Sequence, residues 1–195
     1  MARTADTHLK ERILDTAQKL LRTKGEESLT LRAVAKAAGT TTPTVYKRFP
    51  DKAALLVALA LRERDRILTE LMKSPDVASA CRRYLEFASS RPHAYELIYS
   101  RYLIDALYSE DLARPGLEWV RARLRESHGG DAEQYNVVAI SVWLLLHGAA
   151  SLLAKSPNDD ARARIRSQCL GACDALLANA KRLRGKPGAQ GQRPK

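Results

Sequence analysis

Thr41, Thr42, Thr44, Tyr46 and Lys47 place four hydroxyls and an ammonium within one short stretch, with Val45 and Phe49 interleaved as apolar residues. Hydroxyls exchange hydrogen bonds with phosphate oxygens and base edges. A lysine can donate to guanine O6 and N7, and a threonine methyl can pack on the methyl of thymine. Thr41, Thr42, Thr44 and Lys47 are the base-side candidates, and Tyr46 is a phosphate donor. Thr30 and Arg32, upstream, suit the backbone of the opposite strand. Lys52, downstream, suits a phosphate, helped by amides at a helix N-terminus. Two alternatives stay open: Thr41 as an N-cap only, and Tyr46 packed against the first helix.

Bond-making chemistry has little support. His8, His93, His128 and His147 are isolated, and the chain contains no His-Glu-x-x-His, Gly-rich phosphate loop or Gly-x-Ser-x-Gly. No enzyme, metal site or cofactor is expected. Cys81, Cys169 and Cys173 are too few for a disulfide framework, and Cys169 and Cys173, one helical turn apart on an apolar face, read as core.

The polar stretch needs a frame to present it, and the surrounding pattern supplies one. Leu9, Ile13, Leu14, Ala17, Leu20 and Leu21 recur at helical spacing, predicting a first helix over 7–23 that stops at Gly25. Thr30 caps a second helix over 31–38, and Gly39 supplies a tight turn. Thr41 caps the polar helix, where Pro43 falls in the first turn and costs no hydrogen bond. Val45 and Phe49 point inward. Two short helices joined this way form a helix-turn-helix, whose second helix enters the DNA major groove. A long helix over 51–72 follows, apolar in its first half and charged in its second. Helices are then predicted over 77–89, from 92, over 117–127, over 131–155 and over 159–184. The fold class is all-α: an N-terminal three-helix helix-turn-helix domain plus a larger helical domain. The expected boundaries are 1–50 (helix-turn-helix 30–49), a connecting helix 51–72, a second domain 73–184, and a disordered basic tail 185–195.

Charge follows the same division. The net charge is +11. Residues 1–72 carry 14 Lys/Arg against 9 Asp/Glu, residues 73–180 carry 13 of each, and residues 181–195 carry six Lys/Arg and no acid. Basic ends and a neutral middle suit a nucleic-acid-binding head attached to a domain with another task. The segment MARTADTHLKER has no apolar run to act as a signal peptide, and the apolar stretch 137–154 is broken by Ser141, His147 and Ser151. A cytoplasmic protein with no membrane partner is expected.

Residues 8–72 resemble the TetR family of bacterial transcriptional regulators. The likeness is carried by LTLRAVAKAAG, TTPTVYKRF and PDKAALL after an apolar first helix. Pro43 departs from the small residue more usual there, and the helix's first turn tolerates it. Trp143, His147 and Gly148 also resemble the Trp-His-Gly signature of one subclass of TetR C-terminal domains. The resemblance implies a homodimeric repressor released from a palindromic operator by a small molecule, with residues 73–184 as its ligand-binding and dimerisation domain. The alternative is a constitutive DNA-binding protein, or an activator without an effector. Phe87, Tyr95, Tyr99, Tyr102, Trp119, Trp143 and His147, with Tyr84 beside them, are the candidates to meet a hydrophobic or aromatic effector. Ala149, Leu152, Ile165, Cys169, Ala172, Cys173, Leu176 and Ala180 are the candidate dimer stripe.

Overall fold

The computed structural model describes residues 2–100, 114–156 and 158–185, with side chains from His8 onward. Among these residues every regular element is helical: α1 (Ala2–Lys24), α2 (Leu31–Ala37), α3 (Thr42–Tyr46), α4 (Lys52–Met72), α5 (Val77–Ser90), α6 (Pro92–Ile98), α7 (Pro115–His128), α8 (Asn136–Lys155), α9 (Asp159–Ala178) and α10 (Ala180–Leu183). Short 3-10 turns at Glu26–Ser28 and Ala132–Tyr135 precede α2 and α8. The chain divides into two compact units, one of residues 1–66 and 91–112, the other of residues 67–90 and 113–195.

The first unit closes around the apolar stripe expected of α1. Ile13, Leu14, Ala17 and Leu21 are buried with Leu29, Leu31, Val34, Val45, Phe49, Leu55, Leu56 and Leu59. Each of these Leu, Ile, Val and Phe side chains contributes roughly 1.5–3 kcal/mol when taken out of water. A polar seam joins α1 to α4. The Gln18 amide donates to the buried Glu63 carboxylate, and Arg62 pairs with Asp15 and more loosely with Glu11. A buried carboxylate is tolerated only when a donor satisfies it, so Gln18 fixes how α4 lies on α1. Tyr95, Leu97 and Ile98 of α6 are buried in the same unit.

The second unit is built on α8, which packs against α5, α7 and α9. Val138, Ala139, Val142, Leu146, Ala149, Ala150 and Leu153 form its inner face. The loop before it is held as its sequence suggests: the Asp131 amide donates to Gln134 Oε1 at 2.9 Å, the reciprocal half of a capping box. Gln134 also holds Gly185, donating from Nε2 to its carbonyl at 3.0 Å and accepting its amide at 2.7 Å. Asn158 caps α9, accepting from the Ala161 amide at 2.8 Å.

Two expectations need correcting in detail. The first helix begins at Ala2 rather than Thr7. The final helix, expected to run unbroken to Arg184, is interrupted at Asn179. There the side-chain amide donates to the Ala175 carbonyl at 2.9 Å and competes with the backbone for that acceptor. The basic tail from 186 lies outside the described residues, as does Tyr102.

All three cysteines are free and buried. Burial pushes the Cys169 thiol up to about 12. A thiol hydrogen bond with Cys81, reinforced by burial, raises Cys173 further.

Candidate nucleic-acid interface

The turn between α2 and α3 sets the geometry of the head. Thr30 Oγ1 accepts from the Ala33 amide at 3.0 Å and starts α2. At its end, Gly39 adopts φ 62°, the Thr40 amide donates to the Ala35 carbonyl at 3.0 Å, and the Gly39 amide donates to Lys36 at 3.3 Å. This is a Schellman-type stop, and a left-handed φ there favours glycine. The chain then reverses directly into α3.

Thr41 caps α3, its Oγ1 accepting from the Thr44 amide at 3.4 Å and lying 2.7 Å from Thr44 Oγ1. The two hydroxyls share one hydrogen, so the pair presents a single organised group. Val45 and Phe49 are buried and anchor the helix from behind. Thr41, Pro43, Tyr46 and Lys47 are exposed, and Thr42 and Thr44 half-buried. Tyr46 is 52% exposed, so it stands in solvent rather than against α1. Arg32 is exposed on the first turn of α2.

Arg48 is half-buried, and its Nη1 donates to the Thr44 carbonyl at 3.1 Å, tying off the C-terminal end of α3. Its i, i+4 spacing to Thr44 is the signal that the sequence carries for this contact. Lys52 Nζ donates to the Glu26 carbonyl at 3.0 Å, joining the start of α4 to the 3-10 turn. Asp51 Oδ1 takes the Ala54 amide at 2.7 Å. The α4 N-terminus is therefore partly satisfied from within, and Lys52 keeps two ammonium hydrogens for a phosphate.

The remaining candidates fall in both units. Tyr95 (buried) and Tyr99 (half-buried) adjoin in the first unit, with ring centroids 4.8 Å apart and planes tilted by 45°. Tyr84 and Phe87 are buried on α5 in the second. Trp119, on α7, is half-buried and has the Arg123 guanidinium 5.5 Å from its ring. Trp143 and His147, on α8, stack at 5.4 Å with planes 8° apart. Desolvation lowers the His147 imidazole below its usual range and favours the neutral ring.

Within the dimer stripe, Ala149, Cys169, Cys173 and Ala180 are buried inside the subunit, Ile165, Ala172 and Leu176 are half-exposed, and Leu152 is 59% exposed. Apolar residues the stripe did not include stand out beside them: Val137 at 62%, Leu144 at 56%, Leu183 at 42% and Leu145 at 37%. A shallow trough of about 640 Å³ is lined by Leu145, Ala172, Ala175, Leu176, Asn179, Arg182 and Leu183.

Residues 13–59 match the family model described as bacterial regulatory proteins, tetR family, and residues 77–176 match a tetracyclin repressor-like C-terminal domain. The chain belongs to the TetR family. A HTH-type transcriptional regulator of Xanthobacter autotrophicus is 42% identical over 69 residues, 35% of this chain and 34% of the relative. A HTH-type regulator of Mycobacterium tuberculosis is 37% identical over 76 residues, 38% of each chain. These matches span little more than a third of the curated relatives' length. TetR from Acinetobacter baumannii AYE has the same fold with a TM-score of 0.63 at 19% identity, covering 89% of this chain and 97% of that one. A TetR regulator from Streptomyces coelicolor gives 0.62 at 20%, covering 90% and 99%. A variant of the A. baumannii protein, solved in complex with minocycline, gives 0.63 at 20%, covering 89% and 97%. The chain is thus a helix-turn-helix transcriptional regulator.

Two outcomes follow. Gly39→Ala forces a Cβ into a left-handed φ and is expected to lower unfolding free energy by about 1–2 kcal/mol in urea titration; an unchanged midpoint would contradict the strained turn. The depressed His147 pKa means that the unfolded chain takes up this proton more readily, so its contribution to stability is complete above about pH 6.5 and is lost as pH falls below it. The melting midpoint of the wild type should fall with acidification more than that of His147→Gln, and parallel curves would refute the burial effect.

Proposed function

We propose that this regulator is a homodimeric, cytoplasmic repressor that binds a palindromic operator through α3 and is released by a small hydrophobic or aromatic effector. The observation that carries the reading is the two-faced α3: Val45 and Phe49 inside, Thr41, Thr42, Thr44, Tyr46 and Lys47 outside or half-outside. Lys47 and the threonines read base edges, while Tyr46, Thr30, Arg32 and Lys52 hold phosphates.

Dimerisation rests on α8. Val137, Leu144 and Leu152 recur along one side of a helix whose opposite side is already buried, and Gly148 between them has open space where a Cβ would be. Exposed apolar side chains in such a row are costly in water and mark a contact surface. Together with the trough along α9 they suit a second copy packed as a four-helix bundle. The proposed interface lies on the outer faces of α8 and α9, with Leu152, Ile165, Ala172 and Leu176 retained from the stripe. For the effector, the stacked Trp143 and neutral His147 offer an apolar plate beside a polar tip. The minocycline bound by the A. baumannii relative's variant supports a small-molecule ligand in kind.

Lys47→Ala is expected to weaken operator binding about tenfold or more while leaving random-duplex binding nearly unchanged. Lys52→Ala should weaken both and lower the salt slope by about one. Gel-shift titrations at two salt concentrations check this, and equal loss on both duplexes for Lys47→Ala would remove its base-reading role. The Leu144→Glu, Leu152→Glu double variant should sediment as a monomer with native helicity; a dimer of unchanged mass would place the interface elsewhere.

A further inference from the structure

Gly25 ends α1, its amide donating to the Leu21 carbonyl at 2.9 Å. Its backbone then takes φ 72° and ψ 178°. Glycine adopts that combination, and residues with a Cβ essentially do not. A Cβ built at this position meets no neighbouring atom within 4 Å. Packing therefore does not call for the glycine; the backbone angle alone does. What the angle produces is the 3-10 turn Glu26–Ser28, closed by the Ser28 hydroxyl donating to the Gly25 carbonyl at 2.8 Å.

The turn aims one oxygen. The Glu26 carbonyl accepts from the Leu29 amide at 3.0 Å and from Lys52 Nζ at 3.0 Å. Leu29 is fully buried, so the first bond fixes the oxygen from the inside. With both lone pairs engaged, this one atom ties the chain just before α2 to the first residue of α4. A lysine carries its charge on a flexible stem, and ordering that stem on binding costs entropy. Held at Glu26, the half-buried Lys52 is ordered before any DNA arrives. The kind of acceptor matters as well. A carboxylate in that place would offset the lysine charge and repel a phosphate. A carbonyl takes one of the three ammonium hydrogens and leaves the full positive charge.

We propose that Gly25 is a positioning residue for the DNA-backbone contact: through the Glu26 carbonyl it holds the Lys52 ammonium where a phosphate meets it. The proposal rests on the reading of Lys52 as a phosphate contact and adds the element that sets it. An alanine at 25 must leave the glycine-only region, which turns the following peptide and carries the Glu26 oxygen away from Lys52. Because no side chain is struck, the change acts through the backbone alone. Lys52 then keeps its charge and loses its fixed place.

The test titrates full-length wild type, Gly25→Ala, Lys52→Ala and the double variant against a random-sequence duplex and against the operator selected by the wild type, with helicity checked by circular dichroism. Gly25→Ala should weaken both duplexes by the same factor, about threefold or more, since phosphate contacts carry no sequence. In the Lys52→Ala background it should have no further effect. On an operator scanned with single methylphosphonates, the phosphate to which Lys52→Ala becomes insensitive should also lose its effect in Gly25→Ala. Ser28→Ala, which removes the closing bond of the turn and forces no backbone angle, should give the same pattern in smaller measure and carries the test if Gly25→Ala loses native helicity. Independent losses that multiply in the double variant, a loss confined to the operator, or full methylphosphonate sensitivity at that phosphate in Gly25→Ala would overturn the positioning role. Unchanged binding and salt slope in Lys52→Ala would overturn the phosphate reading itself, and the proposal with it.

Discussion

Helix α3 is five residues long, far too short to be stable in water by itself. It exists because Val45 and Phe49 are buried behind it and because both of its ends are tied. Thr41 satisfies an amide at the start, and Arg48 returns to the Thr44 carbonyl at the end. The left-handed turn at Gly39 then decides the angle at which α3 leaves α2. Each outward side chain inherits its direction from that inward anchoring, so loss of the Phe49 ring would disorder the outer face of α3 without touching any of its exposed atoms. The polar seam of Gln18, Glu63, Arg62 and Asp15 does the same at the next level, setting α4 against α1 by hydrogen bonds that are costly to leave unmade.

The reading head was legible because its signals are local. Thr30, Gly39, Thr41 and Pro43 each have a conformational meaning within one turn of chain, and the apolar stripe of α1 repeats at 3.6 residues. The Asp131–Gln134 spacing is a local signal of the same kind. What escaped were partners distant in sequence or in competition. Lys52 reaches back to the Glu26 carbonyl, a contact no local pattern encodes. Asn179 breaks the last helix by bidding for an acceptor the helix also needs.

The second unit was harder to read because α8 is apolar nearly all round. Periodicity cannot distinguish an inner apolar face from an outer one when both are present. The small residues of the candidate dimer stripe, Ala149, Cys169, Cys173 and Ala180, serve the subunit's own packing. Val137 and Leu144, outside that stripe, are left in solvent. The candidate effector residues were chosen by type alone, and they lie in both compact units, with Tyr102 outside the described residues. Type names what a side chain can contact, and only the tertiary fold says which of them share a space.

The central claim is that α3, presented twice by a symmetric dimer, reads DNA. Selection of bound duplexes from a randomised pool by the full-length protein tests it most directly. The account predicts enrichment of an inverted repeat whose two halves are protected equally in footprinting. Enrichment of a single asymmetric site, or none above the starting pool, would contradict it.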